Sequence, residues 1–394
     1  MSFSLKRFLR KSYAFRSIYW LGVLNWFDLA VKLGPVPQTP GQKKRIAFVK
    51  MDGIGDYVIW SAVFRDLDRI YPSETFERIL IGNDRFQELA EGETTFDERL
   101  FVNLDRFAIS PLYRFRTMKQ IRSLGADIIV NARSARDLLW SDSMVRCSAA
   151  FEKIGSEGAG NLMGPIQARL TRRWYTNLRP APVVGEHELK SNLNFLGLDG
   201  NTLSFPDPTE SRTGVPAAGQ PYAVYFLGSQ INEKRWPVRN FALAADIISK
   251  RHGLETVICG GPEDKPLADA FSKASSLDVI DLTGNSLVEL SALLEYATLV
   301  VSNDTGAAHI AALKLTPTVV IAAGNQVGRY FPYPNSIGVH VRAIQYPEVC
   351  KGCEERCVFL KWSESAVRPC VEKVSVEDVT DAADELLGLR TNVK

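Results

Sequence analysis

The chain has 394 residues, a length that corresponds to two or three domains, each able to bury its own core. Hydrophobic residues make up 45% and charged residues 23% of the sequence, which excludes wholesale disorder and a multi-span membrane protein. The net charge of +2 hides an asymmetry, because residues 1–50 carry ten basic side chains and a single acidic one, Asp28. This start has a net charge of +9, and the rest of the chain has −7.

Residues 1–43 are predicted to form a basic, aromatic-rich helical extension. The uncharged run 17–27 is shorter than the ~20 apolar residues of a spanning helix, and no signal-peptide cleavage site follows it. Cations near an anionic bilayer contribute ~1 kcal/mol each, so we expect a cytoplasmic protein that lies peripherally on the inner face of the cytoplasmic membrane. The alternative is an additional helix packed on the body. Nucleic acid is not an expected partner.

Past the Pro-rich residues 34–41, strand and helix patterns alternate along the chain. Strands are predicted at 45–51, 76–81, 127–131, 222–227, 255–259, 279–281, 299–302 and 318–322. Helices are predicted at 57–70, 112–124, 186–196, 238–251, 266–274, 287–296 and 307–314. Such alternation predicts an α/β fold with two Rossmann-like doubly wound domains that face each other across a cleft. The predicted limits are 44–205 for the first domain, 206–221 for a Pro/Gly-rich linker and 222–394 for the second domain.

The first strand of the body runs into Asp52-Gly53-Ile54-Gly55-Asp56 and then into a helix. Gly53 and Gly55 permit a tight turn and close backbone approach at a helix N-terminus, where unpaired N–H groups favour anions. The loop lacks the third glycine of the dinucleotide fingerprint and the Gly-Lys-Ser/Thr ending of a P-loop. Asp56 is either the N-cap of the helix or a general base that takes a proton from an attacking hydroxyl.

Residues 302–306, Ser-Asn-Asp-Thr-Gly, end a buried strand in the second half and open a helix. The Thr305 hydroxyl and the backbone of Thr305 and Gly306 are predicted to meet phosphate oxygens. Asp304 would repel a diphosphate unless its oxygens are already used, so we expect it to cap the helix. His309, one turn further on, either touches the ligand or braces Asp304.

Three further segments of the second half follow strands or enter helices. Ser229 and Gln230 follow the strand that ends near residue 227. Lys234 and Arg235 offer the positive charge that a diphosphate leaving group needs, or are solvated surface charges. Glu263 is expected either to contact ribose hydroxyls or an adenine edge, or to belong only to a turn.

Four of the six cysteines lie within residues 350–370. They are Cys350, Cys353, Cys357 and Cys370. Four thiolates at this spacing suit a tetrahedral zinc or iron site, which would be structural because four protein ligands leave no open position. Free thiols are the main alternative, and disulfides are disfavoured in a reducing cytosol.

Taken in order, five segments between about residues 44 and 379 resemble glycosyltransferase family nine, the ADP-heptose:lipopolysaccharide heptosyltransferases. They are Gly55-Asp56, Lys234-Arg235-Trp236-Pro237, Gly260-Gly261-Pro262, Asp281-Leu282-Thr283-Gly284, and residues 302–306 with His309. The resemblance implies a GT-B fold, with the acceptor in the first domain and the nucleotide sugar in the second.

The resemblance also implies the chemistry and the residues that carry it. Asp56 would deprotonate an acceptor hydroxyl for direct displacement at the anomeric carbon with inversion, and no divalent metal or other cofactor would be needed for catalysis. The positions near the donor diphosphate would be Ser229, Gln230, Lys234, Asp304, Thr305 and Gly306. Glu263 would lie on the nucleoside side.

The sequence departs from the family pattern at two places. Ala307 and Ala308 replace the usual Pro and Met before the histidine, and residues 322–325 replace a Phe-Gly turn. The resemblance implies ADP-heptose as the donor, and these departures leave another nucleotide sugar as the alternative. The expected acceptor is lipid-linked or glycan. Two other classes compete: a nicotinamide-dependent oxidoreductase, supported only by Gly53-x-Gly55, and a non-catalytic protein that binds sugar nucleotides or glycans.

Overall fold

Two parallel sheets of six strands each organise the chain. The computed structural model describes residues 18–35, 41–158, 163–183, 185–198, 220–350, 353, 357–360 and 367–389. The chain divides into unit 1, residues 1–184 and 189–199, and unit 2, residues 185–188 and 200–394. Most of the predicted linker, residues 206–219, lies outside the described residues, and the predicted domain limits stay predictions.

The sheet of unit 1 has the strand order β3-β2-β1-β4-β5-β6. Its strands are β1 (Lys44–Lys50), β2 (Phe76–Asn83), β3 (Glu98–Val102), β4 (Ile128–Asn131), β5 (Glu152–Ser156) and β6 (Asn177–Arg179). The helices up to residue 196 are α1 (Asn25–Lys32), α2 (Ile54–Ser61), α3 (Leu67–Ile70), α4 (Gln87–Glu91), α5 (Leu104–Ile109), α6 (Pro111–Ser123), α7 (Ser141–Cys147), α8 (Pro165–Arg172) and α9 (Glu188–Leu196). Strand β1 is buried from Ile46 onwards, as expected for a central parallel strand with both faces covered.

The sheet of unit 2 has the strand order β12-β11-β10-β7-β8-β9. Its strands are β7 (Tyr222–Phe226), β8 (Glu255–Gly260), β9 (Val279–Thr283), β10 (Leu299–Asn303), β11 (Thr318–Ile321) and β12 (Val341–Ile344). Its helices are α10 (Val238–His252), α11 (Lys265–Ala274), α12 (Leu287–Tyr296), α13 (Gly306–Leu313), α14 (Pro369–Glu372) and α15 (Val376–Leu389). Counted from its own first strand, each unit has the order 3-2-1-4-5-6, which opens a ligand crevice between strands 1 and 4.

The eight predicted strands and all but one of the predicted helices are confirmed to within two residues at each end. The exception is the helix predicted at 57–70, which is broken into α2, a 3-10 turn at Phe64–Asp66 and α3. Trp60 and Phe64 form an edge-to-face pair with ring centroids 4.7 Å apart, and both also pack against Phe96. The packing of these large rings beneath β1 interrupts the helix that the spacing of the apolar residues predicts. The sequence did not predict β3, β5, β6 and β12, of which β3, β6 and β12 are edge strands.

The described part of the N-terminal extension, residues 18–35, packs on unit 1. A π-helical turn, Trp20–Leu24, leads directly into α1, and Trp20, Leu24 and Val31 are buried. Asp28 is fully buried and accepts two hydrogen bonds of 2.7 Å from Arg114 of α6 and one of 3.1 Å from Trp20 Nε1. The alternative of a helix packed on the body therefore holds for this segment. The basic residues before position 18 lie outside the described residues. Within the described ranges, no helix combines the length and apolar character needed to span a membrane.

Candidate functional site

The crevice of unit 1 lies where β1 and β4 end side by side, and three charged side chains meet there. Asp52 Oδ2 lies 3.0 Å from Lys50 Nζ, and Asp52 Oδ1 lies 2.6 Å from Arg133 Nε. Lys50 Nζ also donates to the Ala132 carbonyl at 3.1 Å, and Arg133 forms a second ion pair with Asp137. The lysine is almost fully buried, so this network ties the loop after β1 to the loop after β4.

The charges of this network are fixed by their neighbours. Burial alone would raise the pKa of Asp52, but Arg133 and Lys50 lower it to about 2. Burial likewise opposes the charge of Arg133, yet Asp52, Asp137 and Asp56 raise its pKa. Asp56 is therefore electrostatically coupled to the Arg133 guanidinium.

Asp56 lies in the first turn of α2, and it is not the N-cap. The N-cap is Gly53, so the reading of Asp56 as an N-cap is wrong. A carboxylate in the first turn is favoured by the helix dipole, and a Cβ at Gly53 would lie 3.8 Å from Asp56 Oδ2. Gly53 has φ −79° and ψ 179°, which any residue adopts, so a special backbone conformation does not explain this glycine.

The crevice of unit 2 lies between the ends of β7 and β10, and Asn303 holds its two loops together. Asn303 Oδ1 accepts from the Trp236 backbone N–H at 2.9 Å, and Asn303 Nδ2 donates to the Leu227 carbonyl at 2.8 Å. Trp236 is buried, and its indole N–H donates to the Val374 carbonyl at 2.9 Å. The buried amide thus fixes the loop that carries Lys234 beside the start of α13.

Lys234 and the start of α13 form the positive part of this crevice. Lys234 Nζ lies 3.2 Å from Asp304 Oδ2, and about an eighth of each side chain is exposed. The N-cap of α13 is Thr305, without a side-chain capping bond, so the prediction that Asp304 caps the helix is wrong. The Asp304 carboxylate is instead paired with Lys234. The lysine charge therefore offsets the repulsion that Asp304 would exert on a diphosphate. The Thr305 hydroxyl lies 3.2 Å from Ser302 Oγ, and Gly306 begins the helix.

His309 is buried one turn into α13. Burial lowers its pKa to about 4, while the nearby Asp304 acts in the opposite direction. Its Nδ1 lies 2.9 Å from the Tyr333 hydroxyl, and its ring stacks on Phe331 with centroids 4.6 Å apart. His187 packs against Tyr333 from the other side and lies 2.9 Å from the Tyr330 carbonyl. His309 is thus a neutral, rigidly held side chain next to Asp304.

Arg235 is held by its own loop. It donates to the Ser229 carbonyl at 3.0 and 2.8 Å, and its Nη2 lies 3.8 Å from Asp264 Oδ1. Asp264 is buried against Gly228 and Gly260, and a Cβ at Gly260 would lie 2.8 Å from its Oδ2. These glycines leave room for the carboxylate, which explains the position of Gly228 after β7 and of Gly260 at the end of β8. Glu263, on the same short 3-10 turn, and Gln230, after β7, are both exposed.

The four clustered cysteines are free thiols that neighbour one another. Cys350 is hydrogen-bonded to Cys370, and Cys357 is hydrogen-bonded to Cys353. Among the described residues there is no group of three or more His, Cys, Asp or Glu side chains arranged to hold a metal ion. The thiols therefore form two neighbouring pairs, and the metal site stays a prediction.

In unit 2 the structure brings Lys234, Asp304 and His309 together, whereas Gln230 and Glu263 are exposed, and among the described residues no ion pair or hydrogen bond holds them. It adds four residues that the sequence did not single out, namely Lys50, Asp52 and Arg133 in the crevice of unit 1, and Asp264 between two glycines. The sequence contains one indication that Lys50 and Arg133 belong to the site. Each is a charged residue at or near the carboxyl end of an apolar parallel strand, where the ligand crevice of such a sheet lies. Nothing in the sequence pairs Arg133 with Asp52, because the two residues are eighty-one positions apart along the chain.

Comparison with known proteins identifies the family. Residues 114–359 match the profile "Glycosyltransferase family 9 (heptosyltransferase)". The chain is 26% identical over 311 residues to lipopolysaccharide heptosyltransferase 3 of Escherichia coli K12, a match that covers 72% of this chain and 83% of the relative.

Solved structures show the same fold. A family 9 glycosyltransferase from Veillonella parvula superposes with a TM-score of 0.65 at 20% identity, covering 88% of this chain and 97% of that one. The E. coli heptosyltransferase WaaC, solved with ADP-2-deoxy-2-fluoro heptose, gives 0.64 at 15% identity, covering 86% and 99%. The predicted α/β class with two Rossmann-like domains of GT-B type is confirmed. Because the profile spans more than half of the chain, the protein belongs to glycosyltransferase family 9 and is a glycosyltransferase.

Proposed function

We propose that this glycosyltransferase moves a heptose from ADP-heptose to a hydroxyl of a lipopolysaccharide-type acceptor, with inversion at the anomeric carbon. The observation that carries the proposal is the position of the Lys234 ammonium, held by Asp304 at the start of α13, beside helix N-terminal N–H groups that suit a diphosphate. The names of the relatives support the sugar and the acceptor, since lipopolysaccharide heptosyltransferase 3 and WaaC with a heptose analogue share the family or the fold.

In the proposed reaction Asp56 is the general base. It takes the proton of the acceptor hydroxyl while that oxygen forms its bond to the anomeric carbon and the bond to the diphosphate breaks. The Arg133 guanidinium lies within electrostatic reach of Asp56, and Asp52 and Asp137 hold Arg133 in place. Arg133 is a positioning residue in this scheme.

The leaving ADP acquires negative charge as the sugar departs. Lys234 and the backbone N–H groups of Thr305 and Gly306 stabilise that charge without a divalent metal. Ser229, Gln230 and Arg235 line the loop after β7, Glu263 serves the nucleoside, and neutral His309 keeps the start of α13 rigid.

The test is a donor panel assayed for nucleotide release. The purified chain is incubated with ADP-heptose, UDP-glucose or GDP-mannose, with and without a heptose-deficient lipopolysaccharide core. Of the three donors, only ADP-heptose is expected to release its nucleotide, and only when the acceptor is present. The anomeric configuration of the product is determined by NMR. Release from another donor would assign a different sugar, and tight ADP-heptose binding without release would favour a non-catalytic binding protein.

Lys234→Ala is expected to weaken ADP binding. Loss of a charged hydrogen-bond donor to the diphosphate costs about 1.5–3 kcal/mol, which corresponds to roughly a 10- to 150-fold higher Kd. Isothermal calorimetry measures the change, and Lys250→Ala, in the last turn of α10, is the matched control. An unchanged ADP affinity would contradict a contact between Lys234 and the diphosphate.

Two further features belong to the proposal. The protein acts peripherally on the inner face of the cytoplasmic membrane, where a lipid-linked acceptor is present. The four clustered cysteines hold a structural zinc or iron ion, because their thiols already neighbour one another and thiolates are the preferred ligands of both metals. Elemental analysis of the purified protein decides the second point, and less than about a tenth of an equivalent of metal would contradict it.

A further inference from the structure

The N-terminal helical segment, residues 18–33, and helix α8 cover the same part of unit 1. Trp20 and Leu24 belong to one buried cluster with Met163, just before α8, and the Trp20 ring lies 6.0 Å from the Trp174 ring just after it. The Arg146 guanidinium lies over both indole rings, at 5.9 and 4.7 Å from their centroids. Because the inner faces of both elements share this core, their outer faces form one stretch of surface.

The outer faces carry large apolar side chains in solvent. Trp26 and Leu33 of the N-terminal segment are 67% and 83% exposed, and Leu21 is 57% exposed. On α8, Ile166 is 84% exposed, and Leu170 lies one turn further along the same face. Exposed apolar residues scattered singly are ordinary, but a group on adjoining elements marks a binding surface.

Every exposed charge on these elements is positive. Residues 18–35 and 163–174 contain a single carboxylate, Asp28, and it is buried against Arg114. The exposed cations of the two segments are Lys32, Arg169, Arg172 and Arg173. Arg172 pairs with the partly exposed Glu157 at 3.1 Å, and Lys32, Arg169 and Arg173 keep the net charge of the surface positive. Helix α6 adjoins α1 through Phe27 and Phe115, and it adds the exposed Arg116 and Lys119.

We propose that α8 and the outer face of residues 18–33 together form a docking surface for an anionic lipid bilayer. On α8, Ile166 and Leu170 enter the headgroup region, while the long side chains of Arg169 and Arg173 reach lipid phosphates beside them. Interleaved apolar and cationic side chains, on two segments that themselves carry no exposed carboxylate, complement a bilayer with anionic headgroups. The inference extends the proposed peripheral location to a helix more than a hundred residues beyond the N-terminal extension, and it rests on that part of the proposed function.

The experiment is vesicle flotation of the full chain. The probes are vesicles of phosphatidylcholine alone and of phosphatidylcholine mixed with phosphatidylglycerol. The wild type is expected to float with the mixed vesicles and to stay in solution with the neutral ones. Ile166→Ser/Leu170→Ser and Arg169→Glu/Arg173→Glu are each expected to weaken this binding by about tenfold or more. The matched control is Leu243→Ser/Val288→Ser, which removes two exposed apolar side chains from unit 2.

Three outcomes would overturn the docking surface: no flotation of the wild type, α8 variants that float as well as the wild type, or equal loss in the control. A fourth outcome would overturn it by assigning the surface to contact with a second copy of the chain. In that outcome an α8 variant floats normally, but light scattering shows that its particles are smaller than those of the wild type. ADP release with detergent-dispersed acceptor separates this test from the proposed function. Normal release by an α8 variant that no longer floats supports the surface, whereas absent release by the wild type contradicts only the proposed reaction.

Discussion

Replacing Asp56 with asparagine is expected to lower turnover by about 100- to 10,000-fold while leaving ADP affinity unchanged. This decrease in turnover is the one expected when a general base is lost, because the amide of asparagine cannot take the acceptor proton. The substitution keeps the shape of the side chain in the first turn of α2, so the fold of the loop is preserved. Acceptor-dependent ADP release measures turnover, and calorimetry with ADP measures binding.

The matched control for Asp56 is Asp66→Asn, on the 3-10 turn that follows the same helix. Asp66 forms a surface ion pair with Arg69 at 3.1 Å, and such pairs contribute little. Its variant should therefore turn over at the wild-type rate. Turnover of Asp56→Asn within about threefold of the wild type would exclude Asp56 as the base.

Replacing Asp28 with alanine is expected to release the N-terminal helix from unit 1. Arg114 would remain buried without its carboxylate, and breaking a buried ion pair in this way costs about 3–5 kcal/mol. Amide hydrogen exchange over residues 25–32 reports the release directly, with protection expected to fall by about 100-fold or more. Exchange in the strands of unit 2 should not change.

A double variant distinguishes loss of the pair from loss of packing. In Asp28→Leu/Arg114→Met both charges are replaced by apolar side chains of similar length, and a buried ion pair replaced in this way is often neutral for stability. Protection of α1 should then recover most of the way to the wild-type level. Unchanged protection in Asp28→Ala would show that the hydrogen bonds of Asp28 do not hold the helix.

The sequence predicted the central strands and the loops after them because both depend on local pattern. Apolar runs of three to six residues mark β1, β7 and β10, and each is followed by small or polar residues at the crevice. The edge strands β3 and β12 were missed because Glu98–Val102 and Val341–Ile344 lack the continuous apolar run of a central strand. Their pairing is decided by the neighbouring strand, which local sequence does not contain.

The candidate site was predicted residue by residue but without its connections. Asp56 and Lys234 could be proposed from loop position and from the family resemblance. The ion pairs of the site could not be predicted from the sequence. That of Lys234 with Asp304 joins residues seventy positions apart, and that of Asp52 with Arg133 joins residues eighty-one apart. Side-chain networks of this kind arise from strand order, which places β4 beside β1 and β10 beside β7.

The burial of Asp28 gives the N-terminal helix two electrostatic environments. Its inner pair with Arg114 lies away from solvent, where dissolved ions do not screen it, so raising the ionic strength should leave α1 attached to unit 1. Its outer face keeps exposed cations such as Lys32, whose attraction to any negative surface is screened beyond about 8 Å at physiological ionic strength. Added salt therefore acts on what the helix binds outside and not on what holds it inside.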